Sequence, residues 1–484
     1  MGTLNSKLVA ALVLLLLLAQ TGLATPNGTT VLAGDILAKV KAGEPVDYSG
    51  VKVSGDLNLS QVAQVDQEFR VANSNFLGNV SLDGTIFRDS VDLKGSTFEG
   101  FVSFDKSQFS EDASFSRASF LKDVSFRLAG FSRATSFRSC RFLENAIFDN
   151  TKFDGNADFK GALFGGAASF VLAQFTRPTS FQSAIFFNTV SFESAQFGDA
   201  TDFRKSTFKD DASFPGTRFL SAVFFGLSRF DKGALFAAAS FGGFFEFTGV
   251  EFNDTAIFAL ARFADNAHFV GAVFRKDLSL ESARVYSIQL DNVTFGENST
   301  INLKDADFTK FPVHWDILKD RLDYNGATYL ALVKNYKSLE WFDDADDCYY
   351  QYRMISLTTE HWGWSKIADF ISWISCGFGV RVSYVSIWCL ITIFIFGVIF
   401  WAGNGMRRFE HEGLEIPGGS EKIEIFRVSL VDAMYFSVAM FTTSQAPVNN
   451  YPVRFYRHLA MLEGILGWFF MGLFVVVLSG ILIR

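Results

Sequence analysis

From Phe98 to Phe274 a phenylalanine recurs in alternating steps of six and five residues, at 98, 104, 109, 115, 120, 126, 131 and onward to 258, 263, 269 and 274. The underlying period is therefore eleven. It persists more weakly on both flanks, with Leu82, Phe87 and Leu93 before it and Leu280, Leu290 and Phe295 after it. Two positions before each ring stands a small residue, as at Ala113, Ala118, Val124, Ala129, Thr135, Cys140, Ala146, Thr151, Ala157 and Ala162. A separation of two is the strand repeat, so the ring and its small neighbour face the same way. One large and one small inward residue per short strand, with turns between, predicts a narrow β-helix, and self-similarity held this long means a solenoid. Phe245 is the one bulky occupant of a small slot, and a local bulge is expected there. Cys140 falls in an inner slot and His268 on an outer one, and the many aspartates and serines fall where Asx-type turn bonds would use them.

The pattern changes near Pro312. "NGATYLALVKNYKSLEWF" places Tyr329, Leu332, Val333 and Tyr336 on one helical face, with Asn325 as its cap. "DDADDCYYQYRMISL" puts aspartates in the first turn of a second helix, where the helix dipole favours them. Residues 311–365 are thus expected to form a helical hairpin that links the rod to the C-terminal segments and transmits tilt or twist. Residues 366–382, "KIADFISWISCGFGVRV", are amphipathic and too short to span a bilayer, which suits a helix lying at an interface. Two longer apolar runs come next, 383–403 and 459–483, each long enough to cross. Between them, "SLVDAMYFSVAMFTT" (429–443) is apolar and only three to four turns long, the length a re-entrant helix needs.

At the other end, a lysine, an apolar run and the small residues of "GLA" read as a secretory signal peptide over 1–24. Residues 25–75 supply an N-terminal cap, a short helix and the first strands. Six N-x-S/T sequons stand at Asn27, Asn58, Asn79, Asn253, Asn292 and Asn298 and none beyond, so these are the candidate glycosylation sites of an exported rod.

Composition adds mostly exclusions. Phenylalanine reaches 58 copies in 484 residues, whereas charged residues make up 19%. A net charge of −8 offers no basic face to nucleic acid. Four dispersed cysteines and five dispersed histidines make neither a metal site nor a catalytic triad, so no catalytic residue and no cofactor is expected.

Segments such as "DASFSRASF", "NADFKGALF" and "DATDFRKSTF" resemble the pentapeptide-repeat family in its phenylalanine-rich form. That resemblance implies a mainly β fold over 76–310, a right-handed, four-sided β-helix with two eleven-residue units per coil. From Leu82 to Phe295 it implies about ten coils at about 4.8 Å each, a rod of roughly 45–50 Å. Acidic rods of the family include DNA mimics that block gyrase, a role that an export signal argues against.

The final hundred residues resemble the two-helix potassium-channel pore family, through "YFSVAMFTT" followed by "HLAMLEGILGWFFMGLFVVVL". Residues 383–484 would then be an all-α pore domain. The resemblance assigns the filter to Thr442, Thr443, Ser444, Gln445, Ala446, Pro447 and Val448. It sets Glu463 and Gly464 in the opening of the inner helix and makes Gly472 its hinge. Yet no glycine lies between Thr442 and Tyr451, and Pro447 lacks an amide donor, so a tight cage of carbonyls is not expected. A wider path for monovalent cations, lined partly by Gln445, is.

An exported N-terminus would make the loop dip from the cytoplasmic side, as in ionotropic glutamate receptors, with Arg407, Arg408, Lys422, Arg427, Arg454 and Arg457 inside. The expected protein is a multi-pass plasma-membrane homo-tetramer whose β-helix lies outside the cell and meets a ligand or surface protein there. With only Arg484 after the second span, gating signals are expected from the rod and hairpin. The other reading is a membrane-anchored interaction rod whose pore-like helices do not conduct.

Overall fold

The computed structural model describes residues 29–359, 363–408, 428–447 and 450–482. The chain divides into two compact units, 1–340 and 341–484. The predicted signal peptide, Asn27, Lys422, Arg427 and Val448 lie outside the described residues.

The first unit is a parallel β-solenoid. Each coil contributes four two-residue strands, one to each of four ladders, and a strand pairs with the strand 22 residues on, as in Thr97↔Ser119, Val102↔Val124, Gln108↔Gly130 and Ala113↔Thr135. One ladder alone stacks 13 strands, from Thr30–Leu32 to Thr294–Phe295. Twelve steps at about 4.8 Å make it roughly 58 Å long. It is longer than the repeat signal because strands before Leu82 already join the ladders: Val46–Ser49 pairs with Phe69–Ala72. The first strands expected at 25–75 are therefore rungs of the solenoid itself.

Inward residues alternate as the spacing requires. In one column, Phe104, Phe126, Phe148, Phe170, Phe192, Phe214, Phe236 and Phe258 stack with centroids 4.6–4.9 Å apart and planes within 7°. Rings of the facing column meet them edge-on, as Phe126–Phe137 at 84° and Phe148–Phe159 at 89°. Most polar residues in small slots find partners indoors, Ser228 Oγ being an exception. Ser107 Oγ, Cys140 Sγ, Thr151 Oγ1 and Thr217 Oγ1 each donate to a carbonyl 25 residues earlier, at 2.6–2.7 Å. Burial pushes the Cys140 thiol far up from its usual pKa, so it behaves as core. Outside, Asp231 collects Lys209 at 2.9 Å, Arg229 at 2.5 Å and Asn253 at 2.9 Å. Partial burial opposes its charge, but those donors hold its carboxyl below the ordinary range.

The bulge expected at Phe245 does not occur. Its strand keeps register on both sides, Val223↔Phe245 and Phe245↔Ala267, and the ring is buried. Small neighbours above and below leave room, and the adjacent column tilts instead. Stacking angles of 3–8° from Phe115 to Phe225 widen to 27° and 40° on either side of Phe247. The true irregularity comes two coils later. The strand Arg284–Gln289 runs six residues and pairs with both Arg262–Phe263 and Ala267–His268, straightening one corner. Here the column lacks phenylalanine, and Val285 and Ile288 take the inner places.

Both ends are closed. At the start, α1 (Ala33–Ala42) buries Ala33, Ile36 and Val40 and stops at Gly43, which takes the left-handed conformation that glycine adopts without penalty. After the last strand, Asp307–Lys310, come α2 (Trp315–Leu318) and α3 (Gly326–Ser338). The Asn325 side chain accepts from Thr328 N as the predicted cap. Tyr329, Leu332, Val333 and Tyr336 are the buried face. The Asn335 amide bonds both N and O of Phe311 at 2.9 Å, and Tyr336 donates to Val313 O at 2.8 Å, so side chains satisfy backbone that would otherwise be a bare edge. The connector expected over 311–365 is thus divided: α3 belongs to the solenoid unit, and α4 (Phe342–Thr359) to the second.

The second unit is helical. It comprises α4, α5 (Trp364–Cys376), α6 (Val382–Ala402), α7 (Leu430–Thr443) and α8 (Tyr456–Leu482). The interfacial helix predicted for 366–382 ends early, at Cys376, because Gly377, Phe378 and Gly379 all take positive φ and turn the chain into α6. Only α6 and α8 are long and apolar enough to cross a membrane among the described residues.

Stacking predicts that Phe170→Ala, which opens a void in the ring column, lowers stability by about 3–5 kcal/mol. Leu172→Ser, at a turn position 49% exposed, should cost under about 0.5 kcal/mol. Denaturant midpoints of the β signal in circular dichroism measure both.

Candidate functional site: a short helix held between two apolar helices

α7 has 14 residues, about 21 Å of helix, against roughly 30 Å of bilayer hydrocarbon. Ser429 caps it, accepting from Asp432 N at 3.1 Å. It buries Ala433, Phe436, Met440 and Phe441, packing with Phe396 and Phe400 of α6 and Ala460 of α8. α6 and α8 run antiparallel: Val385, near the start of α6, meets Val477, near the end of α8.

The chain leaves α6 and returns to α8 at one place. Met406–Arg408 pairs antiparallel with Asn450–Pro452, so the two ends of the insertion carrying α7 lie side by side. From that point α7 reaches inward. Ser437 Oγ donates to Ile393 O at 2.8 Å and also contacts Glu463 Oε1. Ile393 lies nine residues from the end of α6, about 13 Å, and Glu463 seven from the start of α8, about 10 Å. Farther in, the Phe441 carbonyl lies against Gly467, where a Cβ would collide with it. Gly397 serves likewise beside Met434, where a Cβ would meet Sδ at 2.5 Å. Gly464 faces Ser444.

Glu463 is fully buried. Its Oε1 meets Ser437, and its Oε2 is among the buried oxygens with no hydrogen-bond partner. A carboxyl group so placed is costly unless paired, and here one hydroxyl of α7 carries most of the compensation. Thr442, Thr443, Ser444, Gln445 and Ala446 are exposed at the end of α7, and Pro447 is half-buried. The two threonine hydroxyls donate back to Val438 O and Ala439 O at 2.7 Å, and Ser444 ends the helix in a left-handed conformation. Gly472 lies inside the unbroken α8 with open space beside it. Among the candidate sugar sites, Asn58, Asn79, Asn292 and Asn298 are exposed. Asn253 is half-buried and bonded on both amide atoms, to Asp231 and Arg275.

At the start of α6, Arg381 pairs with Asp347 of α4 at 2.7 Å and Arg353 of α4 with Asp369 of α5. Trp373 Nε1 donates to Tyr350 OH at 3.0 Å, and Trp388 Nε1 to Ile374 O at 2.8 Å. Sequence reasoning singles out Glu463 and Gly464 but misses Ser437, Gly397 and Gly467. The three-residue spacing of Gly464 and Gly467 on one helix face is the available signal.

A family model described as pentapeptide repeats (9 copies) matches residues 72–119, 82–130, 115–163 and 159–207, all within the solenoid. The repeat unit of this chain is therefore similar to that family, and the ring stack extends the similarity to the rest of the coil. No curated protein and no solved structure matches the chain.

Replacing Ser437 with alanine removes the hydroxyl that Glu463 meets in the interior. Its cost should be about 1–3 kcal/mol, and Glu463→Gln, which keeps a bonding partner, should cost less. Thermal unfolding in detergent gives the order.

Proposed function

We propose that the chain is a plasma-membrane channel subunit in which four copies join α6, α7 and α8 into a pore for monovalent cations, with the β-helix outside the cell as its sensor. The supporting observation is the paired return of the chain at Met406–Arg408 and Asn450–Pro452, together with the contacts that α7 makes partway along α6 and α8. An insertion that enters and leaves at one level, and ends its helix midway, sets irregular backbone at membrane depth. Such backbone persists only when buried in protein or lining water. In one copy Thr442 to Ala446 are bare. A four-fold arrangement would shelter them and gather four helix C-termini, whose partial negative charge favours cations, about one axis.

The membrane assignment itself rests on exposure. In the most apolar stretches of α6 and α8 only 28% and 22% is buried, and residues such as Leu390, Phe394, Ile465 and Val476 are bare. Water would not tolerate a patch of that size. Arg407, Arg454 and Arg457 sit at the paired return, the end that the positive-inside rule would turn toward the cytoplasm. The filter would be Thr442 to Val448. Without glycine it would be wide, so selectivity among monovalent cations should be weak.

Recording from purified protein in planar bilayers tests this. Cation currents are expected, and in Thr443→Cys they should fall when a water-soluble thiol reagent is added. Silence under every ion condition, with monomers in detergent, would leave a membrane-anchored interaction rod instead.

A further inference from the structure

The outside of the solenoid neutralises many of its cations across adjacent rungs. Lys122 meets Glu144 at 2.9 Å, Lys209 meets Asp231 at 2.9 Å, Lys276 meets Asp254 at 3.0 Å and Lys304 meets Glu281 at 3.4 Å. One outer column clusters three arginines that lack such a partner. Successive rungs present Gln174, Gln196, Arg218, Ser240, Arg262 and Arg284, each in direct register with the next. All but Ser240 are exposed. Among the described residues no carboxylate lies within 4.0 Å of any of the three guanidinium groups. Arg262 and Arg284 are nearest neighbours in the ladder, a like-charge placement that costs stability. Nothing in the packing of the rod requires it, since neighbouring coils fill the same slot with serine or glutamine.

With the turn residues Gly216, Ala238, Leu260, Ser282 and Asp305, the C-terminal part of this column lines a groove of about 690 Å³, and Asp307, in register with Arg284, makes its last rung acidic. Five rungs take part, so the groove is about 19 Å long. That exceeds one small anion. Its charges stand two rungs and then one rung apart, roughly 10 and 5 Å, with neutral hydrogen-bonding side chains between and beyond them.

We propose that this column is a binding site for an extended acidic polysaccharide. The guanidinium groups would take its carboxylates in two-pronged hydrogen bonds, Ser240 would take a hydroxyl between the charges, and Gln196 and Gln174 would take hydroxyls beyond Arg218. The site belongs to the solenoid alone and holds whether or not the apolar helices conduct. The acidic rung at Asp305 and Asp307 sets the polymer's limit, because its next carboxylate would be repelled there.

Binding of polygalacturonate to the full-length protein in detergent is the test, followed by calorimetry at rising salt. Saturable binding that weakens with salt is expected, and R262Q/R284Q should weaken it about ten- to hundredfold. Arg117→Glu, on another part of the rod, should leave it unchanged, and circular dichroism checks that each variant keeps its β signal. No binding, equal binding of uncharged dextran, equal competition by inorganic phosphate or by polyglutamate, or full binding by R262Q/R284Q would each overturn the proposal.

Discussion

The structure depends on one coincidence of lengths. Parallel strands joined by hydrogen bonds are spaced about 4.8 Å apart, and aromatic rings in offset stacks sit at nearly the same separation. A ring placed at the same point of every coil therefore stacks without disturbing the ladder, and centroid distances of 4.6–4.9 Å along the Phe104 column show both demands met together. An aliphatic side chain would fill the volume but would not lock the azimuth of one coil over the next. The edge-on contacts between facing columns add that second constraint, since a coil that slipped sideways would break both. The coil length of 22 residues follows from four such faces, each needing one ring and one small residue.

This explains why the solenoid is so legible. Its period is written in a residue that does only one thing there, and the small slot two positions earlier fixes which way the strand faces. What escapes sequence reading depends on neighbours rather than on spacing. By spacing alone Phe245 should break its strand, yet Val223 and Ala267 on the adjacent rungs leave a space that the sequence scatters over 44 residues. The turns hide another feature. Lys106, Arg117 and Leu128 hold φ near 60°, where glycine or asparagine would be looked for. Each such residue donates its N–H to the coil above, as Lys106 N to Arg127 O at 2.8 Å, so rung stacking overrides local preference.

The helical unit is legible to a different degree. Lengths and apolar character place α6, α7 and α8 within a few residues, because those follow from periodicity and bilayer thickness. The partner of Glu463 cannot be read that way, since Ser437 lies 26 residues before it on another helix. The close approaches at Gly397 and Gly467 are equally hidden, because a glycine in an apolar helix looks the same whether it admits a neighbour or merely tolerates one. The division of the predicted connector has a similar cause. By sequence Asn335 is an ordinary surface residue and Tyr336 only a member of the helix's apolar face; the unsatisfied backbone at Phe311 and Val313 is what gives both work as part of a cap.

The two units meet the same requirement, that polar backbone and apolar side chains both find partners, in opposite ways. The solenoid is self-sufficient: rings meet rings, rungs meet rungs, and both ends are covered by helices. The second unit is not, for α6 and α8 leave most of their apolar surface bare while the polar residues that do go inside are tied to a helix too short to cross. A mere anchor needs neither feature. Two apolar helices would hold a rod to a bilayer without a third helix packed between them, and without a carboxyl group buried among the three. Retaining Glu463 where leucine would be less costly makes sense if the position of α7 has to be fixed or changed through one hydroxyl, because Ser437 ties the middle of α7 to both of its neighbours. An arrangement that costs stability in an anchor becomes intelligible in a device whose middle helix must be held at a set depth.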